Sequence, residues 1–128
     1  MSNERTTKLQ ITKVGINAVN NIFLKWDFTL EVKLAFLGLS ESEYRLASDP
    51  KTLVNLSDEL NKRMSYILNI YECLSVLFSN PTNRYGFLKL NNNTQLFKGM
   101  TPMKYMTNHG TTSALSDVYH YLDGIRYR

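Results

Sequence analysis

The chain has few of the side chains from which reactive sites are usually built. It contains one cysteine, Cys73, and two histidines, His109 and His120. A single cysteine excludes an internal disulfide and a thiolate-rich zinc site, and it suits a reducing compartment. Cys73 lies in an apolar stripe whose only charged neighbour is Glu72. A carboxylate there opposes thiolate formation, so packing is the expected role. Neither histidine has a second histidine at metal-ligand spacing. The six glycines, at 15, 38, 86, 99, 110 and 124, are isolated and form no phosphate-cradling loop. Nothing marks Asp117 and Asp123 as an acid/base pair rather than a solvated face.

Long hydrophobic runs are missing as well. The most apolar segment, Tyr66 to Phe78, is interrupted by Asn69 and Glu72 and is too short to span a bilayer. No basic start followed by an apolar stretch indicates secretion. These absences leave no catalytic residue, metal or cofactor to assign. The expected class is a small cytoplasmic protein that binds macromolecules, with no membrane partner and no enzymatic reaction.

What is present is a chain of 128 residues with an ordinary apolar fraction and a net charge of +4, the size of a single domain. From Asp27 to Asp49 the chain is acidic: Lys33 and Arg45 stand against Asp27, Glu31, Glu41, Glu43 and Asp49. Basic residues gather towards the ends, with Arg5, Lys8 and Lys13 at one and Arg126 and Arg128 at the other.

Helical spacing dominates the apolar pattern, and no strand alternation or internal repeat is found, so the expected fold is all-α. Residues 1–13 are polar and read as a loose N-terminal tail. Ile16, Val19, Ile22, Phe23 and Trp26 define a first amphipathic helix. Thr29 caps a second, with Leu30, Leu34 and Leu37 on one face and Gly38 as its stop. Ser40 and Glu43 form a capping box that starts a third helix at once, ended by Asp49-Pro50. A supporting helix followed by two short ones across a glycine turn is a helix-turn-helix pattern, and it fits an ordinary bundle equally well.

A fourth, long helix runs from a Ser57 cap to about Phe78. Its main stripe is Leu60, Met64, Ile67, Tyr71, Leu74 and Phe78; Tyr66, Ile70, Cys73 and Leu77 form a second beside it. A helix apolar over so much of its circumference is expected to be central and to share in an interface. Asn80-Pro81-Thr82-Asn83 reads as a turn, and Asn91 to Gly99 as a loop. Thr101-Pro102 starts a short helix with Met103 and Met106 inward. Leu115, Val118, Tyr119 and Leu122 define a last helix that Gly124 stops, leaving residues 125–128 to project.

The stretch from Phe87-Leu88-Lys89-Leu90 through Leu96-Phe97-Lys98-Gly99-Met100-Thr101-Pro102 resembles the signature of the Xre/MbcA/ParS antitoxin family. In that signature an aromatic residue, a basic pair and an asparagine precede Leu-Phe-x-Gly-x-Thr-Pro. Met103-Lys104-Tyr105-Met106 and Leu115 to Gly124 continue the likeness, which is greatest to the branch paired with RES-domain toxins. Upstream, Trp26-Asp27-Phe28-Thr29 through Leu39-Ser40 resembles the Xre-like helix-turn-helix of that branch, and Met64 to Tyr71 its central helix. Phe87 stands where the family usually has Trp, and Asn91 where it has Pro.

This resemblance implies an antitoxin of a type II toxin–antitoxin pair. It implies an Xre-like helix-turn-helix domain over residues 14–55 and a toxin-binding helical domain over 56–128. The partner would be a NAD-consuming RES-domain toxin, held inactive by occlusion of its active site, with operon autorepression. The toxin-binding residues so expected are Phe97, Thr101, Tyr119, Ile125, Arg126, Tyr127 and Arg128. A homodimer would meet operator DNA through Lys33, Ser40, Ser42 and Arg45, with the basic N-terminal tail adding phosphate contacts. A free-standing helix-turn-helix regulator is the first alternative, and a structural helical adaptor for some other enzyme the second.

Overall fold

Seven helices and no strand make up the described residues: α1 (Ser2–Lys25), α2 (Leu30–Leu37), α3 (Glu41–Ser48), α4 (Asp58–Leu77), α5 (Pro81–Lys89), α6 (Pro102–His109) and α7 (Thr112–Arg126). The computed structural model describes residues 2–52 and 57–127, with the side chains of α1 from Lys13 onward. The chain is all-α, as its spacing predicts.

The predicted inner face of α1 is buried in full: Ile16, Val19, Ile22, Phe23 and Trp26. The helix does not begin after a tail, however; its backbone is helical from Ser2. No proline or glycine occurs before Gly15, so nothing in the backbone stops the buried turns from propagating towards the N-terminus. Asp27, in the left-handed region at φ 56°, turns the chain into α2.

The cap predicted for α2 is in place, with the Thr29 hydroxyl accepting from the Val32 N–H at 3.4 Å. The predicted stop is also there: Gly38 has φ +67° and donates its N–H to Leu34 O at 2.7 Å. The buried face of α2 differs from the leucine stripe. Phe36 and Leu37 are buried, whereas Leu30 is over a third exposed. Phe36 takes the inner place because Phe28 and Phe23 wait there, with ring centroids at 4.8 and 6.2 Å. Aromatic burial outweighs leucine spacing over two short turns.

The α3 capping box closes on both sides, Glu43 N–H to Ser40 Oγ at 3.2 Å and Ser40 N–H to Glu43 Oε1 at 2.9 Å. Polar contacts hold α3 on α1. Tyr44 donates to Asn20 Oδ1 at 2.7 Å, Asn20 donates to Ser48 Oγ at 3.1 Å, and Lys13 donates to the carbonyls of Ala47 and Asp49. A cation at the carbonyl end of a helix is favourable for the dipole as well as for the unpaired carbonyls.

The bonds of Ser40 have a pH consequence. Its backbone N–H, and then its hydroxyl, hold the Glu43 carboxyl below its ordinary range. The Lys51 N–H and then the Thr52 hydroxyl, with Lys13 nearby, do the same for Asp49. A carboxyl lowered in the folded state adds stability that is complete above its unfolded pKa, about 4.3 for glutamate. That stability is lost as pH falls through the lower, folded value. An acid titration followed by NMR should move the Ser40 amide with a midpoint below about 4.3; a midpoint at or above that value would mean that the box is open in solution.

Ser57 caps α4 through the Leu60 N–H at 3.1 Å. Of its two predicted stripes, Leu60, Met64, Ile67, Ile70, Cys73 and Leu74 are buried, and Tyr66, Tyr71, Leu77 and Phe78 are half-buried. This helix packs against α1, α2, α5 and α7.

Two expectations are corrected near the C-terminal half. Asn80-Pro81-Thr82-Asn83 is not a free turn but the start of α5: Asn80 Oδ1 accepts from the Thr82 N–H at 2.9 Å, and Pro81 holds the first turn. Gly124 does not stop α7, which runs to Arg126. Glycine terminates a helix by taking positive φ, and among the glycines only 38, 99 and 110 do so.

One hydrophobic cluster draws residues from all seven helices and from the loop before α6. The parts read as residues 14–55 and 56–128 therefore share a single core. No helix among the described residues is long and apolar enough to cross a membrane.

Candidate functional site

The loop from Leu90 to Thr101 carries the family-like motif, and each of its residue types has a local reason. Asn92 and the Gly99-Met100 pair pinch the loop shut: Gly99 donates to Asn92 O at 2.8 Å and Asn92 donates to Met100 O at 3.2 Å. Lys98 and Gly99 both take positive φ, 52° and 89°, which reverses the chain. Glycine adopts that conformation without the Cβ clash that other residues meet. Thr101 then caps α6, accepting from the Lys104 N–H at 3.0 Å, and buried Pro102 occupies its first turn.

The reversal drives Phe97 inward, where it is 1% exposed. Its ring meets Phe87, Tyr105 and Tyr121 edge-to-face, at centroid distances of 6.3, 5.6 and 5.3 Å. Phe97 was expected to touch a partner; it cannot, because an apolar ring at the apex of a pinched loop gains more by closing the core. Its role is to shape the loop. Thr101 is likewise committed to its cap.

Tyr119, Ile125 and Arg126 lie on α7, and Tyr127 is its cap residue. Tyr119 is half-buried against Tyr66, with ring centroids 6.0 Å apart, and the Asp123 carboxylate above all raises its hydroxyl pKa. Ile125 is half-buried beside Thr94, Leu96 and Tyr121, where they line a surface groove. Arg126 does not project freely: it pairs with Glu72 of α4 at 3.4 Å and lies 5.3 Å from the centre of the Tyr127 ring. Tyr127 is 74% exposed. Arg128 lies outside the described residues. The structure thus gathers Ile125, Arg126 and Tyr127 at one end of the α4–α7 seam and buries Phe97 against Tyr121 of the same helix.

Of the expected DNA-facing residues, Lys33 lies on α2, Ser40 caps α3, and Ser42 and Arg45 lie on α3. Arg45 is held by Glu41 at 2.6 Å, Ser40 is the cap, and Ser42 Oγ lies 3.2 Å from Ser40 Oγ. Lys33 is half-buried. Lys13, expected to serve phosphate from a free tail, instead bonds the carbonyls at the end of α3. The side chains of Arg5 and Lys8 are outside the described residues.

Arrangements that look chemical have structural explanations. His120 Nδ1 lies 2.7 Å from Ser116 O and 3.2 Å from Ser116 Oγ. A proton donated to that carbonyl leaves Nδ1 no lone pair to activate the hydroxyl. Burial pushes the Cys73 thiol up, against the pull of Arg126, which the sequence did not show as a neighbour. Tyr105 donates to Asp117 at 2.9 Å and so ties α6 to α7; burial, and then that carboxylate, raise its pKa. Among the described residues no group of three or more His, Cys, Asp or Glu is placed to hold a metal.

One residue that sequence reasoning passed over organises the neighbourhood. Arg63 of α4 donates to Ala35 O and Phe36 O at 3.2 and 3.3 Å, and to Gly110 O at 3.0 Å. It thereby joins the carbonyl ends of α2 and α6. Comparison with protein-family models, with curated proteins and with solved structures finds no match to this chain.

Proposed function

We propose that this chain is the antitoxin of a type II toxin–antitoxin pair, neutralising a NAD-consuming RES-domain toxin in the cytoplasm by direct binding. It acts without catalysis and without a cofactor. The observation that carries this reading is the motif loop. Its aromatic, Lys-Gly and Thr-Pro elements, which resemble the family signature, combine into one pinched, core-anchored turn seated against α7. A loop fixed in this way suits a binding platform, because little ordering entropy is left to lose on association.

The platform's working edge is the last turn of α7. Tyr127 offers a large exposed ring beside a guanidinium, a pairing that interfaces favour. Arg126 exchanges Glu72, whose side chain is 62% exposed, for a carboxylate in the toxin's mouth. Ile125 supplies apolar area at the rim. In the finer fold proposed here, α2 and α3 form a helix-turn-helix supported by α1, and α4 is the central helix. A homodimer presents two such units to operator DNA for autorepression.

Co-expression with the protein encoded beside this chain tests the reading. The neighbour alone should deplete NAD and arrest growth, and this chain should restore both while co-purifying with it. Tyr127→Ala should weaken the complex by about 2 kcal/mol, roughly thirty-fold. Unchanged affinity would remove the α7 end from the mechanism. A harmless neighbour that does not bind, with tight operator binding by this chain alone, would make it a free-standing regulator instead.

A further inference from the structure

The net charge of the chain is not carried by its ends. Between Glu72 and Asp117 there is no Asp or Glu, yet Arg84, Lys89, Lys98 and Lys104 all fall there. Everywhere else basic and acidic residues are equal in number, so this segment holds the whole +4. Its four basic residues lie on α5, the motif loop and α6, and none of them is ion-paired among the described residues.

An apolar groove of about 320 Å³ opens on the same surface, walled by Phe78, Phe87 and Leu90 and edged by the amides of Asn83, Asn91 and Asn92. Leu90 is 67% exposed at its rim. The floor is Gly86, in the middle of α5. The fold does not require glycine there: φ is not positive, and a Cβ would meet nothing within 4 Å. Glycine inside a helix weakens it, so the open floor is kept at a cost. Arg84 secures the wall by donating to Phe78 O at 2.7 Å and Ser79 O at 3.1 Å. Exposed Lys89 adjoins Leu90, and Lys98 adjoins the pinch between Gly99 and Asn92.

We infer that this groove docks a peptide segment of a partner protein, an apolar side chain seated over Gly86 and flanking carboxylates meeting Lys89 and Lys98. Charge complementarity selects an acidic segment, and the apolar slot favours a side chain over a phosphate backbone. The site is distinct from the α7 end and stands independently of the antitoxin reading.

The probe is a capped hexapeptide with two central leucines flanked by glutamates, titrated to millimolar concentration into the isotope-labelled full chain. Amide shifts are expected at Gly86, Leu90 and Asn92. Binding should weaken about ten-fold in Gly86→Leu, in Lys89→Glu, and with alanines replacing the probe's leucines. Absence of shifts, shifts elsewhere, or equal binding of a lysine-flanked probe would overturn the site. So would unchanged affinity in Lys89→Glu or in a Gly86→Leu that keeps its circular dichroism. Duplex DNA displacing the peptide at the same amides, with the greater affinity, would replace the peptide by nucleic acid.

Discussion

Phe97→Ala is expected to destabilise the protein by about 3–5 kcal/mol, read as a lower urea midpoint at unchanged slope. The ring is almost wholly buried and touches three aromatic rings from three different helices: Phe87 of α5, Tyr105 of α6 and Tyr121 of α7. Truncation removes both its transfer energy and these edge-to-face contacts, and a pinched loop cannot easily collapse into the space. Phe97→Leu keeps most of the volume and should cost much less. The pair of variants separates two roles for Phe97. If Phe97→Leu stays folded and binds the proposed toxin as the parent chain does, the ring acts through the core, as its burial argues. A loss below about 1 kcal/mol in Phe97→Ala would contradict the packing described, since core phenylalanines cost several times that.

How much of this was legible in the sequence depends on whether the signal was local. Caps and stops were local: Thr29, Ser40 with Glu43, Ser57, Thr101-Pro102 and Gly38 all perform the tasks their neighbours imply. The apolar faces of α1 and α4 were equally readable, because long helices average out exceptions. Asn80-Pro81 was misread although it obeys the same rule as Thr101-Pro102, a capping side chain followed by proline in the first turn. What obscured it was the weak apolar period of α5, interrupted by Gly86. Gly124 was misread for the opposite reason: a residue that permits a helix stop does not impose one, and the Arg126–Glu72 pair lies beyond it.

The site is less legible, because motif membership does not distinguish a residue that shapes a loop from one that touches a partner. Phe97 belongs to the motif and is interior; Tyr127 is exposed and available. The acid-free segment from Cys73 to Ser116 was countable from the start, but only the fold shows that it surrounds a groove floored by Gly86. Pairing between distant segments, such as Lys13 with α3 or Arg63 with α2 and α6, had no sequence signal at all.

Arg63→Met is accordingly the second large effect expected, a loss of about 2–3 kcal/mol, since hydrogen bonds to a charged group contribute more than neutral ones. Methionine retains much of the aliphatic length and removes the three donations to Ala35 O, Phe36 O and Gly110 O. Two of these carbonyls lie in the last turn of α2 and the third is the cap residue of α6, where helix carbonyls lack partners and the dipole favours a cation. Arg63→Lys should recover only part of the loss, because a single ammonium cannot reproduce the planar fork that reaches both helices. The guanidinium also fills the space beside Gly38, where an added Cβ would come within 2.8 Å of Arg63 Cζ. Gly38→Ala alone meets both this clash and the positive φ. In the Arg63→Met background the clash is gone and only the φ penalty of about 1 kcal/mol remains. The two substitutions should therefore cost less together than the sum of their separate costs, a non-additivity that chemical denaturation of the four proteins in the cycle measures directly. Strict additivity would show that the guanidinium does not press against position 38.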